Sequence, residues 1–173
     1  GLRSPALLRP ALAFSATTMA AGVVVTFLPL AVTRNAGNIA ALALLAQAMA
    51  ATLTRWWAGR HGDRHGSARL LVPSLLVAAA GLFAEAMTGS PWFVVLGMVV
   101  FGAGFGVAQN ASLVLMFERV QPSGYDTASA LWNLAYDAGL GVGGAGFGVL
   151  AAQTGYPTAF ACTAALMLAA LVP

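Results

Sequence analysis

Apolar residues dominate the chain in long blocks. Stretches of about 20 recur from one end to the other, separated by short segments rich in arginine, glycine, proline and asparagine. An α-helix rising about 1.5 Å per residue needs that length to cross about 30 Å of hydrocarbon. The pattern predicts six spans, running roughly from Pro10 to Val32, Asn38 to Trp57, Arg69 to Met87, Trp92 to Phe117, Thr127 to Ala152 and Pro157 to Val172. The expected fold class is all-α and integral to a membrane, with six transmembrane helices.

Polar residues inside these blocks are costly and need a reason. Counting inward from the span ends places Thr17, Thr18, Gln47, Gln109, Asn110, Asn133 and Asp137 at depths of about 12 to 17 Å. The first, second, fourth and fifth helices supply them, and the expectation is a wet cavity between those four near the bilayer midplane. At that depth the third and sixth offer residues such as Ala78, Ala79 and Thr163, and are expected outside. The chain then divides into two triplets, at about residues 6–90 and 91–173. Inverted three-helix repeats of this kind, with a substrate site at midplane depth, are how many secondary transporters are built. The simpler reading keeps Gln, Asn and Thr as hydrogen-bonding glue in a bundle without a cavity.

Composition agrees with a lipid setting. Of the 173 residues 60% are hydrophobic and 8% charged, and a mean hydropathy of +0.83 leaves too little polar surface to coat a soluble domain. The net charge of +3 comes from arginines at span ends, which form no basic face, so nucleic acid is not an expected partner. If the helices alternate, Arg3, Arg9, Arg55, Arg60, Arg64, Arg69 and Arg119 fall on one side and Arg34 on the other. The positive-inside rule then puts both termini in the cytoplasm. Cys162 is alone and within a span, which excludes a disulfide framework. No cleavable signal peptide is visible, and the chain reads as a piece of a longer one. The use of arginine as the only strong base, with abundant alanine, points to a bacterium, and so to its plasma (inner) membrane.

The charge concentrates in Gly59 to Leu71, the turn expected between the second and third helices, where Gly59, Gly62 and Gly66 would allow a tight reversal. Asp63 and Arg64 stand side by side there, placed to make contacts in one conformation and break them in another. Anchoring by positive charge explains the arginines but neither the aspartate nor the glycine spacing. Glu118 and Arg119, in the next turn on that side, are expected to exchange salt bridges with Arg60, Asp63 or Arg64. Arg55 is expected to snorkel or order the loop, and Glu85, near the far end of the third helix, to reach water. Gly102 and Gly106, with Gly139, Gly143, Gly144 and Gly148, form small-residue ridges suited to close helix packing. Gly102-x-Gly104-x-Gly106 has no soluble strand before it and is not a nucleotide-binding turn. His61 and His65 are read as solvated loop side chains, with no metal expected.

Three stretches carry a resemblance. Arg55-Trp-Trp-Ala-Gly59-Arg60-His61-Gly62-Asp63-Arg64-His65-Gly66 resembles the G-x-x-x-D-R-x-G loop of the major facilitator superfamily of transporters, found between the second and third helices of each half of a twelve-helix fold. Tyr136-Asp137-Ala-Gly139-Leu-Gly141-Val-Gly143-Gly144 is similar to the family's eleventh helix, and Gly102-Ala-Gly104-Phe-Gly106 with Gln109-Asn110 to its tenth. The fourth span lacks the membrane arginine of the first half's fourth helix, so the resemblance implies the second half, helices seven to twelve, over nearly the whole chain. Tyr125-Asp126 stand where family members often have Arg-Gly, and Gly144 where a proline often follows the glycines.

Asp137 is the leading candidate for proton coupling, because a carboxylate withdrawn from water is costly in its charged form. Asn133 lies one turn earlier on the same face, bordered by Trp132 and Tyr136. Thr17, Thr18, Gln47, Gln109 and Asn110 complete the expected substrate cavity. Arg55, Gly59, Asp63, Arg64, Gly66, Glu118 and Arg119 are expected to form the cytoplasmic gating segment. Aromatic walls with one titratable acid suit an amphipathic or cationic solute. A structural role for Asp137, pairing with an arginine or capping a helix, stays open.

The expected function is a secondary active transporter working by alternating access, an antiporter exporting a small organic or drug-like solute. A proton gradient would drive it, with no other cofactor. Its partners would be the bilayer, the solute and an N-terminal six-helix half, on the same or a separate chain, or a second copy. The alternatives are a non-transporting membrane scaffold, or a symporter taking up sugar or organic acid. No nucleophile with a nearby base and no paired catalytic carboxylates appear at depth, so enzymatic activity is not expected.

Overall fold

The computed structural model describes residues 5–32, 38–87 and 89–169. Over them the chain forms α1 (Pro5–Ala31), α2 (Ile39–His65), α3 (Ala68–Ala84), α4 (Pro91–Glu118), α5 (Tyr125–Thr154) and α6 (Tyr156–Ala169). Short 3₁₀ turns occupy Glu85–Met87 and Pro122–Gly124. No strand occurs among the described residues. Five helices are long and apolar enough to cross a membrane, and α6 is apolar over its 14 residues. The chain is thus all-α, with helices suited to a multi-pass membrane protein. The expected end of the sixth span at Val172, and Arg3 and Arg34, lie outside the described residues.

The largest departure from the sequence expectation is at the end of α2. Gly59 to His65 continue the helix, and the reversal is confined to Gly66 and Ser67. The three glycines therefore do different things. Gly66 alone takes a positive φ, 86°, and its N–H closes on the Gly62 carbonyl at 2.8 Å. Gly62 leaves room for Ser67, whose Oγ would lie 2.6 Å from a Cβ at that position. Gly59 faces the Asn110 side chain of α4. Arg64 and His65 occupy the last turn, where positive charge complements the helix dipole and favours continuing the helix past the apolar block.

Packing is organised around α4. Both α2 and α3 lie chiefly on α4, and α1 lies chiefly on α5 while also touching α4. Members of the first triplet thus pack on members of the second rather than forming a separate body. The contacts are made backbone to backbone. A Cβ on Gly102 would overlap the Gln47 carbonyl of α2, and one on Gly106 that of Ala51. On another side of α4, Gly97 and Gly104 meet Gly81 and Ser74 of α3; Gly139 and Gly143 of α5 meet Ser15 and Met19 of α1. Lipid offers no hydrophobic drive for helices to associate, so close van der Waals contact carries the packing. The expectation for Gly148 holds through Phe27, 3.2 Å from its would-be Cβ, while Gly144 has only Thr26, at 3.9 Å.

Gly106→Leu and Gly143→Leu in the full-length protein are each expected to lower stability by about 1–3 kcal/mol, the usual cost of overpacking, or more. Gly141→Ala, where a Cβ meets nothing, is expected to be neutral or stabilising by about 0.5–1 kcal/mol. Thermal unfolding in detergent measures all three.

Candidate functional site

Helix contacts fix the relative heights of the polar residues and divide them into two layers. In the first, Thr18 of α1 donates a hydrogen bond to the Ala135 carbonyl of α5 at 3.2 Å. Gly102 of α4 abuts Gln47 of α2, and Phe14, one turn before Thr18, stacks on both Phe105 and Trp132. Thr18, Gln47 and Asp137 consequently share a level. In the second layer Arg55 of α2 donates to the Gln109 side-chain carbonyl of α4, beside Asn110 and Gly59. Gln109 is seven residues from Gly102, so this layer lies about 10 Å nearer the Gly66 end. The single common height expected from counting inward does not hold, because the helices extend unequally past their apolar blocks.

The side chains also divide by direction. Thr17 and Thr18 are fully buried. Thr17 donates to the Phe14 carbonyl at 2.7 Å and Thr18 also to that of Ser15 at 3.0 Å. They therefore join α1 to itself and to α5 instead of lining an open space. Gln109 is buried and held by Arg55. Asn110 is half-buried, and its carbonyl oxygen is sealed off without a hydrogen-bond partner. Trp132 turns inward, its indole N–H donating to Ser112 at 3.0 Å and its ring stacked on Phe14 at 4.5 Å. Tyr136 sits 6.0 Å from the rings of both.

Asn133 and Asp137 point the other way and are exposed. Asn133 donates to the Ser129 carbonyl at 2.9 Å. Asp137 makes no hydrogen bond or ion pair among the described residues. The helices that carry the outward groups are also the least covered. Only 11% of the apolar window of α2 and 17% of that of α5 are buried by the rest of the chain, against 61% for α1. A groove of about 330 Å³ between α1 and α5 is lined by Leu12, Ser15, Met19 and Val142 among others, without Asp137. The polar face of α5 is thus open on this chain.

At the Gly66 end, Asp63, Arg64, Glu118 and Arg119 are all exposed. The expected salt bridges of Glu118 with Arg60 or Arg64 are not formed among the described residues. Arg60 instead lies over the Trp56 ring at 3.9 Å, and Trp57, His61 and His65 stack in a column along α2. Arg55 sits ten residues inside the end of α2, and its tie to Gln109 makes it part of the α2–α4 wall. Glu85, expected to reach water, has no exposed surface: the turn it begins folds back against α4 and α6. Ser112 and Phe14, which position Trp132, carry no mark in the sequence that separates them from other small or aromatic residues in the spans.

Arg55→Met is expected to strand the Gln109 carbonyl and cost about 1–3 kcal/mol. Arg55→Met with Gln109→Leu should recover most of that loss. A double-mutant cycle of unfolding midpoints reads the coupling.

The profile of the Major Facilitator Superfamily matches residues 10–173. Curated relatives include the uncharacterized MFS-type transporters YhhS of Salmonella enteritidis PT4 (strain P125109) and of Escherichia coli (strain K12). Each is 27% identical over 151 residues, covering 87% of this chain and 37% of the relative. The chain therefore spans less than half the length of these relatives, a share consistent with the C-terminal half of the fold. With six helices packed through glycine ridges and the profile covering nearly every residue, the chain belongs to the major facilitator superfamily of membrane transporters.

Proposed function

We propose that this chain is one half of a proton-coupled secondary active transporter, an antiporter that exports a small organic solute by alternating access. The observation that carries this reading is the exposed, unpartnered carboxylate of Asp137 on the bare face of α5. A charged group at that depth does not face lipid tails. It is covered by a facing half or by water held between the halves. Asp137 would exchange a proton with that water, and Asn133 beside it would offer a hydrogen bond to the solute. A lone carboxylate with an amide beside it favours a cationic molecule, while the Tyr136 and Trp132 rings, turned inward onto Phe14, back that face from behind. Solute and proton would then compete for one carboxylate, and this competition couples their movements.

The facing wall would come from an N-terminal six-helix half, on the same or a separate chain, or from a second copy. The exposed Asp63 and Arg64 at the end of α2 would latch that partner in the outward-facing state. A bacterial plasma membrane, with both termini in the cytoplasm, accommodates the arginine distribution. The family match supports transport, not enzymatic activity.

In the full-length parent, reconstituted in proteoliposomes under an imposed pH gradient, Asp137→Asn is expected to abolish solute-dependent proton flux. Solute counterflow without a gradient should persist, with the solute concentration for half-maximal counterflow raised. Unaltered proton flux in that variant would exclude Asp137 as the coupling group and favour a scaffold or a carrier coupled otherwise. Asp63→Asn is expected to slow net flux while the solute concentration for half-maximal counterflow stays the same; flux at the wild-type rate would remove the latch.

A further inference from the structure

Among the described residues Glu85 is the one charged-type side chain with no exposed surface. Neither carboxyl oxygen has a hydrogen-bond partner. The residue opens the 3₁₀ turn Glu85–Met87, which packs on α3, α4 and α6 at the end of the bundle opposite Gly66. Its carboxyl lies over the bare backbone of Gly97 on α4, in space that a Cβ at Gly97 would fill.

No charge on these elements answers it. On α3 the other ionisable residue is Arg69, sixteen residues away and about 24 Å along the helix. On α4 it is Glu118, at the far terminus. On α6 there are Tyr156 and Cys162, and neither bonds to the carboxyl. An ionised carboxylate shut away without a counter-charge or a donor is strongly disfavoured. A bound proton removes the charge while leaving the packing as it stands.

We propose that Glu85 is a proton-binding site, separate from Asp137, whose occupancy keeps the ends of α3, α4 and α6 closed on one another. When the proton leaves to water, the carboxylate that remains must be hydrated. Water reaches it only if the Glu85–Met87 turn lifts from Gly97. The closed arrangement therefore persists on the acid side and is lost as the medium at that end of the bundle becomes alkaline. This holds whether or not Asp137 couples solute to proton, and it can be read without measuring transport.

The test uses the full-length parent in lipid nanodiscs. Infrared difference spectra are recorded between acid and alkaline buffer, and spin-label distances are measured between the exposed positions Phe83 on α3 and Thr158 on α6. The expected result is a protonated-carboxyl band that disappears on alkalinisation, is missing in Glu85→Gln and moves in frequency in Glu85→Asp. The label separation should widen with rising pH in the wild type and stay fixed in Glu85→Gln. A spectrum without any band that responds to both substitutions would overturn the proposal. So would a label separation whose pH response is the same in wild type and Glu85→Gln. Glu85→Asp keeps the spectral arm decisive if Glu85→Gln does not fold.

Discussion

Everything in this half depends on how closely α4 is approached. Two helices, α2 and α3, rest on opposite glycine-bearing sides of it, Gly102 and Gly106 toward one, Gly97 and Gly104 toward the other. In a membrane the alternative to protein contact is lipid contact of similar polarity, so association is decided by fit. Removing side chains at the crossing points brings carbonyls and Cα atoms of neighbouring helices into contact over many atoms, each attraction small and the sum large. α5 repeats the device toward α1 through Gly139 and Gly143. The central pair, α1 and α4, is in this way clamped between flanking helices and offers a stable floor for whatever chemistry the exposed faces perform.

Polarity is distributed to match. Hydroxyls between α1 and α5 are consumed within the bundle, as with Thr18 and the Ala135 carbonyl, and so is the N–H of Trp132, which finds Ser112. These bonds cost no water access and fix helix register. Asp137, which is left over, and Asn133, whose amide is tied to the Ser129 carbonyl, lie on the helix face that the chain does not cover. Under the proposed function that sorting makes the Asp137 face one that meets a partner or water, since an ionisable side chain turned to hydrocarbon would be strongly disfavoured.

Much of this could be read from the residues alone. The six helices, five of them long enough to cross a membrane, follow from the length of the apolar blocks, and the glycine ridges from their spacing, because both are local properties of the chain. What escaped was non-local. The relative heights of Gln47 and Gln109 depend on how far each helix overshoots its apolar block, and on α2 the overshoot shows only in contacts such as Gly59 with Asn110 and Gly62 with Ser67. Glu85 was placed by its distance from a span end, whereas its burial comes from a turn folding back over α4 and α6. Gly59 and Gly62 looked like turn residues because glycine serves both reversal and close approach. Only the positions of Asn110 and Ser67 tell the two uses apart. Helical spacing sets Trp132 and Tyr136 on the border of the Asp137 face, but nothing in that spacing shows that their rings turn toward Phe14.

The unbroken run of α2 to His65 has a mechanical consequence. From Trp57 to His65 the helix adds eight residues beyond the expected edge of its apolar block, an arm of about 12 Å. A stiff arm rooted against α4 converts a small tilt of the bundle into a larger sweep of its tip. Asp63 and Arg64 ride on that tip, so whatever they touch would register a rotation that the buried floor barely feels.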